Sequence, residues 1–181
     1  SQSLSRYDVG ETIEGLARKL GREPSEILKL NSNENFFVPL SFLRRALREV
    51  VEEVDPRVDP RDEFVKLKEA LGRYVHVQPR QIVIGTGSDQ LIDLVSRIFL
   101  QRSDEALSVT PTFSIYERCV RILGARYVTV PLRDDFSLDV NRVLASITPK
   151  MRLLFLCSPN NPTANQFDLD GVQRLLEWFE G

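Results

Sequence analysis

The spacing of apolar residues changes near residue 81. Before that point apolar positions recur every three or four residues between polar loops, which predicts helices over 12–20, 41–54 and 62–74. Beyond it, short apolar runs, such as the β-branched Ile82-Val83-Ile84, alternate with helical periods. The predicted strands are 82–84, 106–109, 126–132 and 151–157, and the predicted helices are 88–100, 113–123, 140–147 and 169–179. Gly21 and Gly124 each follow a helical period, as a C-cap does, and Ser41 stands where it can cap the second helix.

This alternation of strands and helices predicts βαβ units. Strands joined by helices of this length pair in parallel, and a parallel sheet is covered by helices on both faces. We therefore predict an α/β fold, a three-layer α/β/α arrangement with a mostly parallel sheet, preceded by a helical amino-terminal segment. In such sheets ligands bind beyond the carboxyl ends of the strands.

Composition excludes several functional classes. A net charge of −2 over 181 residues argues against a nucleic-acid partner, which usually requires a basic face. No apolar run approaches the ~20 residues that cross a bilayer, so no membrane partner is expected. Cys119 and Cys157 are too few and too distant in sequence to predict a disulfide scaffold or a metal site, and a cytoplasmic location is the default expectation.

The first candidate strand exit, at residues 85–90, reads GTGSDQ. Glycines allow a sharp turn, and a helix that starts near Ser88 directs free N–H groups beyond the strand, which favours a phosphate. The alternative is that Ser88 or Asp89 merely caps the helix, a common use of either residue. A dinucleotide fingerprint does not fit, because its third glycine would fall at Gln90.

Two further exits carry candidate chemistry. Phe113 follows a strand and a proline turn, where it could lie against a planar ligand or simply cover the sheet as core. Asn160 and Asn161 lie between two prolines, so that an amide there is held with little conformational freedom. The alternative is a turn in which both asparagines bond their own backbone. Three such exits on one sheet edge together indicate a ligand site.

Four motifs carry a resemblance to a known family. They are NSNEN at 31–35, GSDQ at 87–90, PTF at 111–113 with Tyr116, and SPNNPT at 158–163. In this order and spacing they resemble the pyridoxal-phosphate aminotransferases of fold type I, and most closely the histidinol-phosphate aminotransferases, over their amino-terminal half. The resemblance implies that residues 1–60 belong to the small domain and dimer arm, and 61–181 to the first half of a cofactor-binding large domain.

The resemblance also implies roles for individual residues. Ser88 and the backbone of Asp89 would hold the phosphate of pyridoxal 5′-phosphate, Phe113 would stack on its ring, and Asn161 would hydrogen-bond its 3-hydroxyl group.

On the substrate side, Tyr7 would close over a small amino-acid substrate, and Asn33 would lie near it. The family resemblance further implies a homodimer.

The family's lysine, which carries the cofactor, is not found in its Ser-Lys context. The lysines present are Lys19, Lys29, Lys66, Lys68 and Lys150. We therefore expect an amino-terminal fragment with no catalytic residue and no aminotransferase activity of its own.

Several positions depart from the subfamily pattern. Asp59 stands where tyrosine is usual, Ala164 where glycine is usual and Gln90 where glutamate is common. These departures leave open an aromatic aminotransferase, a threonine-phosphate decarboxylase or a non-catalytic dimerising paralogue.

Overall fold

The computed structural model describes residues 10–58 and 64–180, which fall into two compact units at residues 10–79 and 80–180. The predicted boundary at residue 60 remains a prediction. Among the described residues, no helix has the length and apolar character needed to cross a membrane.

The unit of residues 10–79 is helical. It contains α1 (Ile13–Leu20), α2 (Leu40–Glu53) and α3 (Phe64–Val75). Thr12 caps α1 by accepting a hydrogen bond from the Gly15 N–H, and Gly21 ends α1 in the left-handed conformation at φ 63°, as predicted. The predicted cap of α2 is wrong, because the N-cap is Pro39 and Ser41 lies within the first turn.

The unit of residues 80–180 is an α/β unit. It contains α4 (Gly87–Phe99), β1 (Glu105–Thr110), α5 (Ile115–Ile122), β2 (Arg126–Pro131), α6 (Val140–Ala145), β3 (Met151–Phe155) and α7 (Leu169–Glu180). The strands are parallel in the order β2-β1-β3. The α/β class and the parallel sheet are therefore confirmed.

Helices cover both faces of this sheet. On one face, Leu107 and Val109 of β1 pack with Val143 of α6 and Leu175 of α7. On the other face, Ala106 packs with Val120 of α5. Because successive strand residues point to opposite faces, alternate residues of β1 supply two separate cores, and all of β1 except Thr110 is buried.

The predicted strand at residues 82–84 is wrong. These residues belong to no strand, and Val83 is exposed. A strand exists only where a neighbour completes its hydrogen bonds, and in the described residues the sheet consists of β1, β2 and β3 alone. The β-branched pattern predicts a strand, but it cannot supply the partner that a strand requires.

Candidate functional site

The exits of β1 and β3 are adjacent. The two strands pair in parallel, with Ser108 opposite Phe155, so the chain leaves both at the same edge of the sheet. The buried side chain of Asn160 joins the two loops. Its Nδ2 donates to the Pro111 carbonyl oxygen at 3.0 Å, and its Oδ1 accepts from the Thr112 hydroxyl at 2.8 Å. The segments that carry Phe113 and Asn161 are therefore bonded to each other.

Phe113 lies on an aromatic support. It is half-buried and packs edge-to-face on Tyr116, with ring centroids 5.7 Å apart. Tyr116 in turn stacks on Phe155 at 4.6 Å with an interplanar angle of 11°. Burial raises the pKa of Tyr116, so that its hydroxyl beside Cys157 stays neutral. Phe113 belongs to neither core cluster, which argues against the interpretation that it is simply core.

Asn161 lies beside Asn160 but is used differently. Its side chain is half-buried and makes no hydrogen bond to any residue the structure describes. The turn here is closed by the backbone, since the Ala164 N–H donates to the Asn160 carbonyl oxygen at 2.7 Å. The alternative in which both amide side chains bond their own backbone is therefore wrong. The Asn161 amide is available to a ligand.

Ser88 and Asp89 lie in the first turn of α4. The N-cap is Thr86, and it makes no side-chain cap bond, so the interpretation of Ser88 or Asp89 as a cap is wrong. Instead the Gln90 side chain accepts a hydrogen bond from the Thr86 N–H at 2.6 Å. The backbone N–H groups of Ser88 and Asp89 donate to nothing among the residues described. A helix amino terminus with such donors fits an anion.

The course of α4 places this terminus at the same edge as the two loops. Residues 100–104 connect α4 to the start of β1, and α4 packs against α5 and β3. A helix that packs on a sheet and is joined by a short connection to the next strand of that sheet runs antiparallel to the strand. Its first turn therefore lies at the carboxyl edge of the sheet.

The two predicted substrate residues are not brought to this edge by any described contact. Tyr7 lies outside the described residues. Asn33 belongs to the unit of residues 10–79, where it is exposed with a left-handed φ of 53°. Both roles remain predictions.

The role of Asn160 could not be predicted from the sequence. Both asparagines stand between prolines, and no local signal separates the buried one from the half-buried one. Only the pairing of β3 with β1 determines which amide meets the Pro111 loop.

A pocket of about 340 Å³ lies elsewhere in this unit, beside the first turns of α6 and α7. None of the predicted site residues lines it. Its two arginines already have partners, since Arg133 donates to the Leu138 carbonyl oxygen and Arg174 to the Asn141 side chain. Asp168 and Asp170 also line the pocket, so an anionic ligand would meet two carboxylates there.

The one lysine in the sequence of residues 80–181, Lys150, immediately precedes β3. Its carbonyl oxygen accepts a hydrogen bond from the Glu105 N–H at 2.9 Å, at the amino edge of the sheet. Lys150 is thus at the opposite edge from Phe113 and Asn161.

Comparison with known proteins identifies the family. The sequence profile described as "Aminotransferase class I and II" matches residues 25–180. The chain belongs to this family.

Curated relatives of this aminotransferase-family chain include histidinol-phosphate aminotransferases. That of Methanococcoides burtonii is 38% identical over 96% of the chain and 48% of the relative. That of Roseiflexus castenholzii is 38% identical over 97% of the chain and 48% of the relative. The chain thus spans about half the length of the curated relatives it matches.

Solved structures agree. The histidinol-phosphate aminotransferase of Sinorhizobium meliloti, in complex with pyridoxal-5′-phosphate, superposes with a TM-score of 0.77 at 26% identity, over 97% of this chain and 48% of that one. A Thermus thermophilus aspartate aminotransferase variant gives a TM-score of 0.70 at 25% identity, over 82% and 43%. The resemblance to the aminotransferases is confirmed.

Proposed function

We propose that this chain is the amino-terminal part of a pyridoxal-phosphate-dependent transaminase and supplies one wall of its cofactor site. The parent would interconvert histidinol phosphate and imidazole-acetol phosphate, with glutamate and 2-oxoglutarate as the second pair, in histidine biosynthesis. The observation that carries the proposal is the meeting of the β1 and β3 exits through Asn160, which brings Phe113 and Asn161 to one edge of the sheet.

The residues at this edge fit the chemical groups of the cofactor. The open first turn of α4, with the Ser88 hydroxyl and the Asp89 N–H, would hold the phosphate. Phe113 would lie against the aromatic ring, supported from behind by Tyr116. The unbonded amide of Asn161 would donate a hydrogen bond to the 3-hydroxyl oxygen.

When bound, pyridoxal phosphate supplies an electron sink for the substrate carbanion. This chain's residues would bind and orient it, but they offer no lysine at the carboxyl edge of residues 80–180. We therefore propose that the chain alone is inactive. Tyr7 and Asn33 would face the substrate, and the parent would be a cytoplasmic homodimer.

Ligand binding to the chain tests the cofactor site. The probe is 4′-deoxypyridoxine 5′-phosphate, which has the ring, hydroxyl and phosphate but no aldehyde to react with lysine. We expect saturable binding that weakens about tenfold in Ser88→Ala and in Asn161→Ala, since each loses one or two hydrogen bonds to a charged or buried group. Asn141→Ala, which alters an asparagine in the other pocket, is the matched control. Absence of binding, or equal losses in all three variants, would contradict the proposal.

The absence of a cofactor-bearing lysine has a separate test. The chain is incubated with pyridoxal 5′-phosphate, reduced with borohydride and mapped by mass spectrometry. We expect scattered, substoichiometric labelling of surface lysines. A stoichiometric label on one specific lysine would overturn the claim that the chain is inactive by itself.

Substrate and assembly are tested on the parent protein. Assays with histidinol phosphate, aromatic amino acids and threonine phosphate distinguish the proposed transaminase from the two related enzymes, and no turnover of any of them would favour a non-catalytic paralogue. Light scattering at micromolar concentration should give a dimer or larger species, whereas a clean monomer would contradict the proposed association.

A further inference from the structure

The side chain of Asn160 is buried, with 3% of the residue exposed, yet it is fully polar. Its Nδ2 donates two hydrogen bonds, to the Pro111 carbonyl oxygen at 3.0 Å and to the Thr163 hydroxyl at 2.7 Å. Its Oδ1 accepts one from the Thr112 hydroxyl at 2.8 Å. Both amide donors are therefore used. A buried amide that lost these partners would pay the desolvation cost of unpaired polar atoms.

The partners of Asn160 lie on both sides of the proposed site. Pro111 and Thr112 directly precede Phe113, and Thr163 follows Asn161 by two residues. The backbone of Asn160 adds two bonds on the β3 side, donating to the Asn165 carbonyl oxygen at 2.8 Å and accepting from Ala164. The sheet ladder has already ended here, since β3 stops at Phe155. The side chain of Asn160 thus links the two chain segments beyond the point where the backbone hydrogen bonds of the sheet link them.

We propose that Asn160 is a positioning residue for the cofactor site. It clamps the β1 exit to the β3 exit, and so fixes the distance between the Phe113 ring and the Asn161 amide without itself contacting the ligand. The role in ligand binding rests on the proposed function, whereas the clamp between the two loops does not.

Ser108 provides a matched control. It is also buried, and its hydroxyl also links β1 to β3, donating to the Phe155 carbonyl oxygen at 2.8 Å. This link joins the last pair of the ladder, Ser108 and Phe155, where the strands are also held by backbone pairing. Ser108→Ala therefore removes a buried β1–β3 hydrogen bond without freeing the loops.

Amide hydrogen exchange on the 181-residue chain tests the clamp. We expect Asn160→Ala to accelerate exchange about tenfold at residues 112–113 and 163–165, with little change at 106–109. Asn160→Asp keeps the acceptor for Thr112 but turns a carboxylate toward the Pro111 carbonyl oxygen, so it should accelerate exchange at least as much. Should Asn160→Ala fail to fold, Thr112→Val cuts the same link from the β1 side and should accelerate exchange about threefold. Unchanged loop exchange in all three variants, or equal changes in Ser108→Ala, would overturn the clamp.

The second measurement separates positioning from stability. The absorption band of 4′-deoxypyridoxine 5′-phosphate depends on the ionisation of its 3-hydroxyl, the group assigned to Asn161. At saturating probe we expect this band to shift in Asn160→Ala but not in Ser108→Ala, with the dissociation constant raised about tenfold only in the former. If the band does not shift, and if the affinity falls in proportion to the melting temperature in both variants, the role of Asn160 is only structural. If the wild-type chain does not bind the probe, the proposed function fails, and loop exchange alone confirms or overturns the clamp.

Discussion

The helices of the two units have the same apolar spacing, but their apolar residues are buried to different extents. In residues 80–180, every strand has buried residues and the sheet divides two apolar cores between its faces. In the described part of residues 10–79, Ala17 is the one apolar residue that is fully buried, and α2 has none. All of these helices have apolar stripes at helical spacing. Burial, and with it most of the stability, therefore depends on a sheet to pack against, and the stripe alone does not provide it.

The largest expected effect is a loss of core packing. Leu107→Ala, at 0% exposure in β1, should lower the free energy of unfolding by about 2–5 kcal/mol, because the deletion leaves a cavity between strand and helices. Leu47→Ala, at 64% exposure in α2, should change it by less than about 0.5 kcal/mol. Urea unfolding followed by far-UV circular dichroism and by fluorescence of Trp178 gives both values. Equal losses would show that the units do not differ in packing.

The second effect concerns charge at the amino edge of the sheet. Buried Glu105 accepts hydrogen bonds from Arg126 Nε at 2.9 Å and Thr148 Oγ1 at 2.7 Å, and the Arg126 bond, followed by that of Thr148, lowers its pKa below 4.5. Because the folded pKa is the lower one, this stabilisation is present above pH 4.5 and is lost as the pH falls through the folded value.

Glu105→Gln should therefore cost about 1–2 kcal/mol at pH 7 and progressively less below pH 4.5. Glu11→Gln, which removes an exposed ion pair with Lys19, should cost less than about 0.5 kcal/mol at any pH. Unfolding midpoints of both variants, measured from pH 3 to 7, test these two expectations. A flat difference across this range for Glu105→Gln would exclude the assigned charge effect.

The third effect is local and lies in the helical unit. Thr12→Ala removes the side-chain acceptor for the Gly15 N–H at 3.0 Å and should cost about 1 kcal/mol, whereas Thr12→Ser keeps the acceptor and should restore most of it. The cost should appear as faster amide exchange within α1. A cap hydrogen bond acts within one helical turn, so the loss of a cap should destabilise a helix of the less buried unit as much as a helix of the α/β unit. Identical exchange in the two variants would show that the cap bond contributes nothing.

The smallest effect compares two left-handed positions. Gly21 at φ 63° is relaxed, and Gly21→Ala should cost about 1 kcal/mol. Ala164 has φ 59°, a conformation that its Cβ disfavours. Ala164→Gly should relieve a similar strain but add unfolded-state entropy, leaving the free energy of unfolding within about 0.5 kcal/mol. Thermal melts of both variants test this, and a loss above 1 kcal/mol in Ala164→Gly would show that the methyl group packs usefully.

Local patterns sufficed for much of this molecule. The helical periods located the seven α-helices of the described residues to within a few residues, and the short apolar runs located β1, β2 and β3. Both kinds of element are encoded by side-chain spacing along a short stretch of chain, and the α/β class follows from their alternation. Quoted motifs such as SPNNPT carried the family resemblance for the same reason, since each is a contiguous string.

Other features were decided by contacts between distant segments. Whether residues 82–84 form a strand depends on a partner, and within the described chain none pairs with them. Which asparagine becomes the buried clamp depends on the loop after β1, 48 and 49 residues away in sequence. Spacing along a chain fixes which backbone form each segment prefers, but hydrogen bonds across the sheet edge fix which side chains remain open to a ligand.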